Sequence, residues 1–397
     1  MTGSLSVPYI STMNDPIYLD HAATTPVRAE VLAAMEPYFG VRFGNPSSAH
    51  RWGREARAAL DEARERVARC LGAHPDELCF TSGGTEGDNL AILGGWRVLK
   101  DKGRNAVVTS PIEHKAVLAS VHKAAAEGAE ERMLTVDATG TVTMDSAHAL
   151  VRDDTALCSV MWVNNEIGTI QPIEALANHC HTVGAIFHTD AVQAFGKVEV
   201  DARKIPFDFL SISGHKIGAP KGSGAMFIRR GTPLEPLFFG GSQDRGRRPG
   251  TENVAYAVAL ATAAELTMAE HDAEGARLGK LRDRLQAGIV AAIPDAVVHG
   301  RDATRATHVL NVSIPGTDSE SMLMALDLQG VSASGGSACQ SGSIEPSHVL
   351  RALGVRADIA GAAIRMSVGS LTTDAAIDRV IHVFSALALK ARGLSAV

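Results

Sequence analysis

The sequence predicts an α/β protein built on a mostly parallel, seven-stranded sheet flanked by helices, followed by a smaller α+β domain. Short apolar, β-branched runs recur along the first part of the chain, and helix-like segments separate most of them. This alternation predicts a parallel sheet, because each crossover places a helix on one face of the sheet. A long amphipathic pattern at about 265–293 then indicates a connecting helix.

The predicted elements divide the chain into two domains. We expect a large domain at 17–264 and a small C-terminal domain at 265–397, which residues 1–16 join. The small domain should contain a strand at 308–314, helices at 319–329 and 349–353, and a last strand at 364–368. The large-domain strands are predicted at 78–81, 106–109, 132–136, 156–162, 185–189, 207–211 and 225–229.

Composition and charge argue against several classes of function. Of the 397 residues, 45% are hydrophobic, and 44 acidic residues against 38 basic ones give a formal net charge of −6. The charges are interspersed without a long basic run, so we expect no direct binding of nucleic acid or of a membrane. Residues 1–16 lack the pattern of a secretory signal or transit peptide, and no apolar run reaches about 18 residues. The cytoplasm is therefore the expected location.

The five cysteines fall into two groups. They form no CxxC pair and no metal-ligand spacing, which fits a reducing compartment, and we expect no resident metal. Cys70, Cys79, Cys158 and Cys180 occur in or beside helical and strand-like runs, where cysteine is usually a small buried hydrophobe. Cys339 instead lies in a Ser/Gly-rich stretch typical of an exposed loop, where a thiol can ionise and attack. Cys339 is therefore the expected nucleophilic thiol.

A glycine-rich segment, TSGGTE at 81–86, follows the first large-domain strand and leads into a helical run. Its backbone N–H groups and the hydroxyl of Thr85 can bind a phosphate at the N-terminus of that helix, where the helix dipole favours an anion. An ordinary strand-to-helix turn capped by Ser or Thr explains the same residues equally well.

Asp190 and Lys216 each follow a predicted strand, at the strand ends where open α/β sheets bind ligands. A carboxylate at Asp190 can pair with a protonated ring nitrogen and Gln193 can donate to a ring oxygen, although a helix N-cap explains Asp190 as well. Lys216, in the segment SISGHK, can form a Schiff base from Gly-rich, apolar surroundings. Lys221 is the alternative lysine, but its position between proline and glycine is typical of an exposed turn.

His114 and Arg365 are two further polar positions next to strands. His114 follows the strand at 106–109, where an imidazole can stack on a planar cofactor or relay a proton, although a surface role is the usual one for any of 15 histidines. Arg365 interrupts the apolar strand at 364–368. An inward-facing guanidinium there binds either a substrate carboxylate or a structural Asp or Glu.

Together these motifs resemble the cysteine desulfurases of the NifS/IscS type, within the class V aminotransferases of PLP fold type I. The matching stretches run in order from residue 18 to residue 369. They are YLDHAATTP (18–26), FGNPSSAH (43–50), TSGGTEGDNLAI (81–92), EHKAV (113–117), NNEIGTIQPI (164–173), HTDAVQAFGK (188–197), SISGHKIGAPKGSGA (211–225), GRRPGTENV (246–254), GGSACQSGSIEPSHVLRALG (335–354) and IRMSVG (364–369).

The resemblance implies that the chain is an enzyme using pyridoxal 5'-phosphate, with catalytic residues Lys216, Cys339 and His114. Lys216 would hold the cofactor and carry a proton, and His114 would stack on the ring. The remaining cofactor-binding residues implied are Gly84, Thr85, Asn165, Asp190, Gln193, Ser213 and His215, with Thr251 reaching in from the second subunit of a homodimer. The substrate would be bound by Arg365, Asn45 and Asn165.

The implied reaction converts L-cysteine to L-alanine and leaves the sulfur as a persulfide on Cys339. The sulfur would pass to an acceptor protein, such as a scaffold of iron–sulfur cluster biogenesis or a thiolation enzyme, and Cys339 would contact a cluster or metal only transiently. One departure is Gly335, which stands where the family commonly has serine. The sequence does not choose among acceptors.

Two alternative functions remain open at this point. Selenocysteine lyase, or another class V lyase or aminotransferase, would use the same cofactor but does not need a sulfur-accepting thiol such as Cys339. An inactive sulfur-transfer scaffold would lack chemical residues, yet Lys216, Asp190 and Cys339 are all present.

Overall fold

The computed structural model describes residues 16–335 and 347–393, so Cys339 lies outside the described residues. The strands are β1 (Ile17–Tyr18), β2 (Leu78–Thr81), β3 (Ala106–Thr109), β4 (Glu130–Met133), β5 (Thr155–Ser159), β6 (Ile186–Asp190), β7 (Phe209–Ser213), β8 (Gly224–Ile228), β9 (Val297–Val298), β10 (Val309–Ser313), β11 (Val331–Ser332) and β12 (Ala363–Ser367). The α-helices are α1 (Ala29–Met35), α2 (Arg51–Cys70), α3 (Gly84–Asn89), α4 (Gly95–Lys100), α5 (Lys115–Ala126), α6 (Met144–Leu150), α7 (Ile173–Thr182), α8 (Val254–Ala292), α9 (Ser319–Leu328), α10 (His348–Ala352), α11 (Ala357–Ala360) and α12 (Asp374–Ala391). A π-helical turn at Leu90–Gly94 joins α3 to α4.

The large sheet has seven strands in the order β2-β8-β7-β6-β5-β3-β4. β8 is antiparallel to both of its neighbours, and every other neighbouring pair is parallel. The predicted mostly parallel sheet is therefore confirmed. The four central strands β5 to β8 are buried along their whole length, which explains why they read as continuous apolar runs.

Several element boundaries differ from the sequence prediction, and two of the differences have a clear physical reason. The apolar run at 156–162 continues past the end of β5, because Val160 and Trp162 still donate hydrogen bonds to β6 carbonyls while the neighbouring strand β3 has ended. α8 begins at Val254, well before the predicted 265, and the side chain of Asn253 caps it. Its first three turns are apolar and largely buried, so the amphipathic pattern becomes visible only farther along the helix.

The small antiparallel sheet has the order β12-β10-β9, and β1 pairs in parallel with β11. A second apolar core forms around these strands and contains Leu19, Leu310 and Phe384, separate from the cores of the large sheet. α8 contributes Leu260 to the first core and Leu281 to the second. The separate cores support two domains, and the boundary that we propose at residues 264 and 265 falls inside α8. Ile17 and Leu19, which the proposed bounds place in the large domain, pack in the core of the small domain instead.

None of the helices in residues 16–335 and 347–393 combines the length and the apolar character that crossing a membrane requires.

Candidate active site

The parallel strands end at one edge of the large sheet, where several predicted residues meet. β6 ends at Asp190, and the neighbouring β7 ends at Ser213, three residues before Lys216. The pairing of Asp190 with Ser211 places the ends of these two strands side by side. This is the edge at which open α/β sheets bind ligands.

A cavity of about 390 Å³ lies at this edge, within the size range of small-molecule sites. Ten of the predicted residues line it: Gly84, Thr85, His114, Asn165, Asp190, Gln193, Ser213, His215, Lys216 and Arg365. The structure thus gathers residues that are separated by up to 281 positions, since 365 − 84 = 281.

Lys216 presents its amine to the cavity. Its Nζ donates to the backbone carbonyls of Ala22 and Ala23, each at 2.7 Å. These two residues belong to the N-terminal motif, and both line the cavity. Lys221 is exposed and does not line the cavity, so of these two candidate lysines Lys216 is the one that the fold directs toward a ligand.

Asp190 is the buried acid of the cavity. It is only 5% exposed, and its Oδ1 accepts a hydrogen bond from the backbone N–H of Val192 at 2.9 Å. Burial raises the pKa of Asp190 above its ordinary value, and the nearby His114, the Val192 N–H and Lys216 offset this rise only in part. One polar side-chain atom from each of Asp190, His114 and Asp88 lies within 4.8 Å of the other two.

His114 caps α5 as well as lining the cavity. Its Nδ1 accepts a hydrogen bond from the Ala116 N–H at 3.1 Å, so Nδ1 must be unprotonated. Burial lowers the pKa of His114, which favours the neutral ring. The imidazole therefore carries its proton on Nε2.

The glycine-rich segment forms a tight backbone wall. Gly83 has φ +151°, and a Cβ on Gly84 would lie 2.5 Å from Cγ2 of Val192, so a side chain at Gly84 does not fit. Glu86 accepts a hydrogen bond from the Ser82 N–H at 2.8 Å and pairs with Arg248 at 2.9 Å. The wall is thereby tied to the GRRPGTENV segment.

Gln193 lies between the cavity and the small domain. Its Nε2 donates to the carbonyl of Ala22 at 2.8 Å, and its Oε1 lies 3.3 Å from Nε2 of His308. These contacts fix the carboxamide with its NH₂ group toward Ala22.

Arg365 is the cationic group on the small-domain side of the cavity. It is 1% exposed, its Nη2 pairs with Asp20 at 2.8 Å, and its Nη1 donates to the Asn165 carbonyl at 2.9 Å. The structural acid that the sequence left open as an alternative is therefore present, yet Arg365 also lines the cavity. Backbone hydrogen bonds of 2.7 and 3.1 Å join Arg365 to Ser334.

Two predicted residues do not line the cavity. Asn45 is exposed, and its Oδ1 accepts from the backbone N–H of Ser47 at 2.9 Å. Thr251 is also exposed. The roles predicted for both of them, and for Cys339, remain predictions.

Several cavity residues were missed in the sequence. Asp88 is one of them, and the signal was an acid just before the apolar stretch Leu90–Leu93. The other missed polar residues are Lys115, Glu166 and His348. Each lies inside one of the matching stretches, but none was predicted to belong to the site. Glu166 is buried, and it accepts a hydrogen bond from the hydroxyl of Ser347.

The residues present fit pyridoxal phosphate. The primary amine of Lys216 and the buried carboxylate of Asp190 are the two groups that a pyridine aldehyde requires, and they line one cavity. The glycine wall allows a close approach of an anionic group, because a side chain at Gly84 would collide with Val192.

Comparisons with known proteins agree with this site. A family model described as aminotransferase class-V matches residues 17–380. The chain is 45% identical over 386 residues to "Cysteine desulfurase IscS" of Methanosarcina thermophila, covering 97% of this chain and 95% of that one. A solved "NIFS-like protein" matches with a TM-score of 0.88 and 34% identity, covering 94% and 99% of the two chains. "SspA in complex with cysteine" matches with a TM-score of 0.79 and 34% identity, covering 89% and 98%.

The family model spans most of the chain, and the relatives align along nearly its whole length. The resemblance that the motifs indicated is therefore confirmed. The chain belongs to the class V aminotransferases and, within them, to the cysteine desulfurases of the NifS/IscS type.

Proposed function

We propose that this protein is a pyridoxal-phosphate-dependent cysteine desulfurase, which converts L-cysteine to L-alanine and transfers the sulfur to Cys339. The observation that carries the proposal is one cavity that holds Lys216, the buried Asp190 and Arg365. The curated relatives named cysteine desulfurase support the reaction, and the neighbour solved in complex with cysteine supports the substrate.

The cofactor would be held by groups at the edge of the sheet. Bound pyridoxal phosphate supplies an electron-withdrawing ring that acidifies the Cα–H of an amino acid joined to it. Gly84, Thr85, Ser213 and His215 would bind the phosphate, with Thr251 of a second subunit. Burial lowers the pKa of His215 to about 4, with smaller contributions from Lys216 and Lys221, so its ring is a neutral donor or acceptor.

Three side chains would fix the ring. Asp190 would accept a hydrogen bond from the ring nitrogen, and Gln193 would donate one to the ring oxygen, near Asn165. His114 would stack on the ring as the neutral imidazole, because its Nδ1 is occupied by the cap of α5.

Proton transfer would be the work of Lys216. Its Nζ lies in the cavity, where the carbonyls of Ala22 and Ala23 hold it. Once released from the cofactor, this amine can take the Cα proton of the substrate and return a proton to the product.

Arg365 would bind the carboxylate of the substrate. Its guanidinium is oriented by Asp20 and the Asn165 carbonyl, so the geometry is set before a ligand arrives. Asn45 is exposed in this chain, and a contribution from it would require the bound state to bring it closer.

Sulfur transfer is assigned to Cys339. Its thiolate would attack the sulfur of the substrate, so that an S–S bond forms while the C–S bond breaks and the carbon fragment keeps the electron pair and is protonated to alanine. Ser334 is joined to Arg365, and Ser347 to Glu166, so both described ends of the segment carrying Cys339 are attached to residues that line the cavity. Cys339 follows Gly335 by only four residues, since 339 − 335 = 4.

A homodimer would complete the site. Large apolar side chains are exposed in two segments of the large domain, and they are Phe39 (63%), Val41 (78%), Phe43 (69%), Trp52 (52%), Phe238 (51%) and Phe239 (84%). Exposed aromatic residues of this kind mark protein interfaces. Thr251 follows the second of these segments in the sequence and is exposed. A residue that contributes to the cavity of a partner subunit would be exposed in the same way.

The sulfur acceptor is a second protein, and the cytoplasm is the compartment that we propose. A persulfide survives as a transferable group only where disulfide formation does not consume the thiol. A scaffold of iron–sulfur cluster biogenesis and a thiolation enzyme are both compatible with the site, and labelled sulfur traced from Cys339 to the acceptor distinguishes them.

The test of the reaction is the release of alanine and sulfide from L-cysteine by the purified protein. We expect Cys339→Ala to retain the visible absorption of bound cofactor and to lose at least about a hundredfold in sulfide release. Cys70→Ala is the matched control, because Cys70 is half-buried at the end of α2 and its pKa is raised by burial to about 11. Unchanged turnover in Cys339→Ala, or a preference for selenocysteine independent of Cys339, would contradict the proposed reaction.

A further inference from the structure

A buried polar row crosses the large sheet directly beneath the cavity. Ser159 on β5, His188 on β6 and Ser211 on β7 are each fully buried, on three neighbouring strands. Ser159 Oγ lies 2.8 Å from His188 Nδ1, and His188 Nε2 lies 3.1 Å from Ser211 Oγ. Polar groups in the middle of a sheet are costly unless each is hydrogen-bonded, so the row needs an explanation.

The row leads to Asp88. His188 Nε2 lies 3.6 Å from Oδ1 of Asp88, and the Ser211 hydroxyl also faces the Asp88 carboxyl group. Burial lowers the pKa of His188 to about 3, so its ring is neutral and carries one proton. A neutral histidine does not neutralise a carboxylate, and the row therefore offers Asp88 hydrogen bonds but no positive charge.

Asp88 lies between this row and the cavity. It is 1% exposed, it lines the cavity, and its Oδ1 has no hydrogen-bond partner among the described residues. One oxygen of its carboxyl group is within 4.8 Å of a carboxylate oxygen of Asp190 and of a ring nitrogen of His114. The Asp88 carboxyl group thus lies close to Asp190, at the edge of the sheet where Asp190 meets a ligand.

Two buried carboxyl groups this close do not both ionise. The groups that face Asp88 are Asp190, Glu113, His114, His188 and Ser211. None of them is a cation, because burial lowers the pKa of both histidines and favours their neutral rings. Asp190 instead faces His114 and Lys216 and accepts the Val192 N–H. The anion is therefore favoured on Asp190, and the proton on Asp88.

We propose that Asp88 is a positioning residue that stays protonated and directs its O–H at Asp190, so that Asp190 is held as the anion that receives the ring nitrogen of the cofactor. The proposal rests on the proposed function, because it takes pyridoxal phosphate as the ligand of Asp190. Asp88 contributes a neutral donor, and the carboxamide of asparagine would serve in the same way.

The first test is the affinity of the cofactor-free chain for pyridoxal phosphate in two variants of similar size, without cysteine present. We expect Asp88→Asn to bind within about twofold of the wild type, because the amide keeps a neutral donor. We expect Asp88→Leu to bind about tenfold more weakly, because one hydrogen bond to a charged group is lost. Glu77→Leu controls for the loss of an acid, because Glu77 lies just before the edge strand β2 and does not line the cavity.

The second test is infrared spectroscopy of the cofactor-free chain. The difference spectrum of the wild type minus Asp88→Asn should contain the carbonyl stretch of a protonated carboxylic acid near neutral pH. A change in folding alone would not produce this band, and the measurement needs neither cofactor nor substrate. It is therefore informative even if Asp88→Leu does not fold.

Three results would overturn the proposal: a carboxylate band in place of the acid band, Asp88→Asn binding as weakly as Asp88→Leu, or Asp88→Leu binding as tightly as the wild type. The first two would show that Asp88 acts as an anion, and the third that it does not act on Asp190. A chain that binds pyridoxal phosphate as expected but releases no alanine from cysteine would overturn the proposed reaction alone.

Discussion

The two walls of the cavity are built in different ways. On the large-domain wall, Asp190 and Ser213 end neighbouring parallel strands, and Asp88 lies against the polar row beneath them. On the small-domain wall, Arg365 comes from β12 and is held by Asp20 and the Asn165 carbonyl, across 345 and 200 positions of the chain. One wall follows from the register of a single sheet, and the other depends on how two cores pack together.

This difference assigns the two walls to different ligands. A cofactor that stays bound through many turnovers is best held by the rigid sheet edge, whereas the carboxylate of a substrate must bind and leave in every cycle. Substitutions in the large-domain wall should therefore change cofactor binding, and substitutions in the small-domain wall should change the KM for cysteine.

The largest expected effect is on the amine between the two walls. Lys216→Ala should lower alanine formation by at least about a thousandfold and abolish the visible band of bound cofactor. Among the described residues, Lys115 is the one other lysine that lines the cavity. Absorption spectra and an alanine assay measure the two changes. Lys221→Ala is the control and should match the wild type, since Lys221 is exposed. Activity retained in Lys216→Ala would transfer the role to another lysine.

The next effect tests the small-domain wall. Arg365→Lys should raise the KM for cysteine about tenfold or more, since an ammonium cannot replace the planar, bidentate guanidinium, while the affinity for pyridoxal phosphate stays the same. Asp20→Asn should act in the same direction but more weakly, because Asp20 only orients Arg365. Steady-state kinetics and cofactor titration separate the two readouts. An equal loss of cofactor affinity would erase the distinction between the walls.

The large-domain wall is tested by the glycine at its centre. Gly84→Ala should weaken pyridoxal phosphate binding about tenfold, because the added Cβ would lie 2.5 Å from Cγ2 of Val192 and the backbone must move. Once the cofactor is saturating, the KM for cysteine should be close to that of the wild type. Gly275→Ala is the control for adding a Cβ to a helical glycine, because Gly275 lies in α8 with open space around that position. A KM effect without a cofactor effect would contradict the assignment.

The smallest expected effect is on the free energy of unfolding, through a buried neutral histidine in the small domain. His299 is 4% exposed beside Ser313, and burial lowers its pKa to about 4. Between pH 6.5 and 4 the unfolded chain binds this proton and the folded chain does not, so the free energy of unfolding falls as the pH falls. His299→Asn should flatten this dependence by at most about 1.4 kcal/mol per pH unit, measured by denaturant unfolding.

Features that depend on local pattern were predictable. The positions of Asp190 and Lys216 followed from the ends of apolar runs, and the structure places both at one edge of the sheet. The start of α8 was predicted too late, because its first turns are buried and carry no amphipathic signal. Asp88 was missed for a different reason: one acid in the short polar helix α3 shows no partner until the sheet beneath it is known.

The sequence by itself determined the α/β alternation, the family and the residues that end the strands, because strand periodicity and turn residues are properties of neighbours along the chain. Only the tertiary structure decided that Arg365 meets both Asp20 and Asn165, and that Asp88 approaches Asp190. Such meetings depend on strand register and on the packing of separate cores. They bring together residues hundreds of positions apart, about which local pattern contains no information.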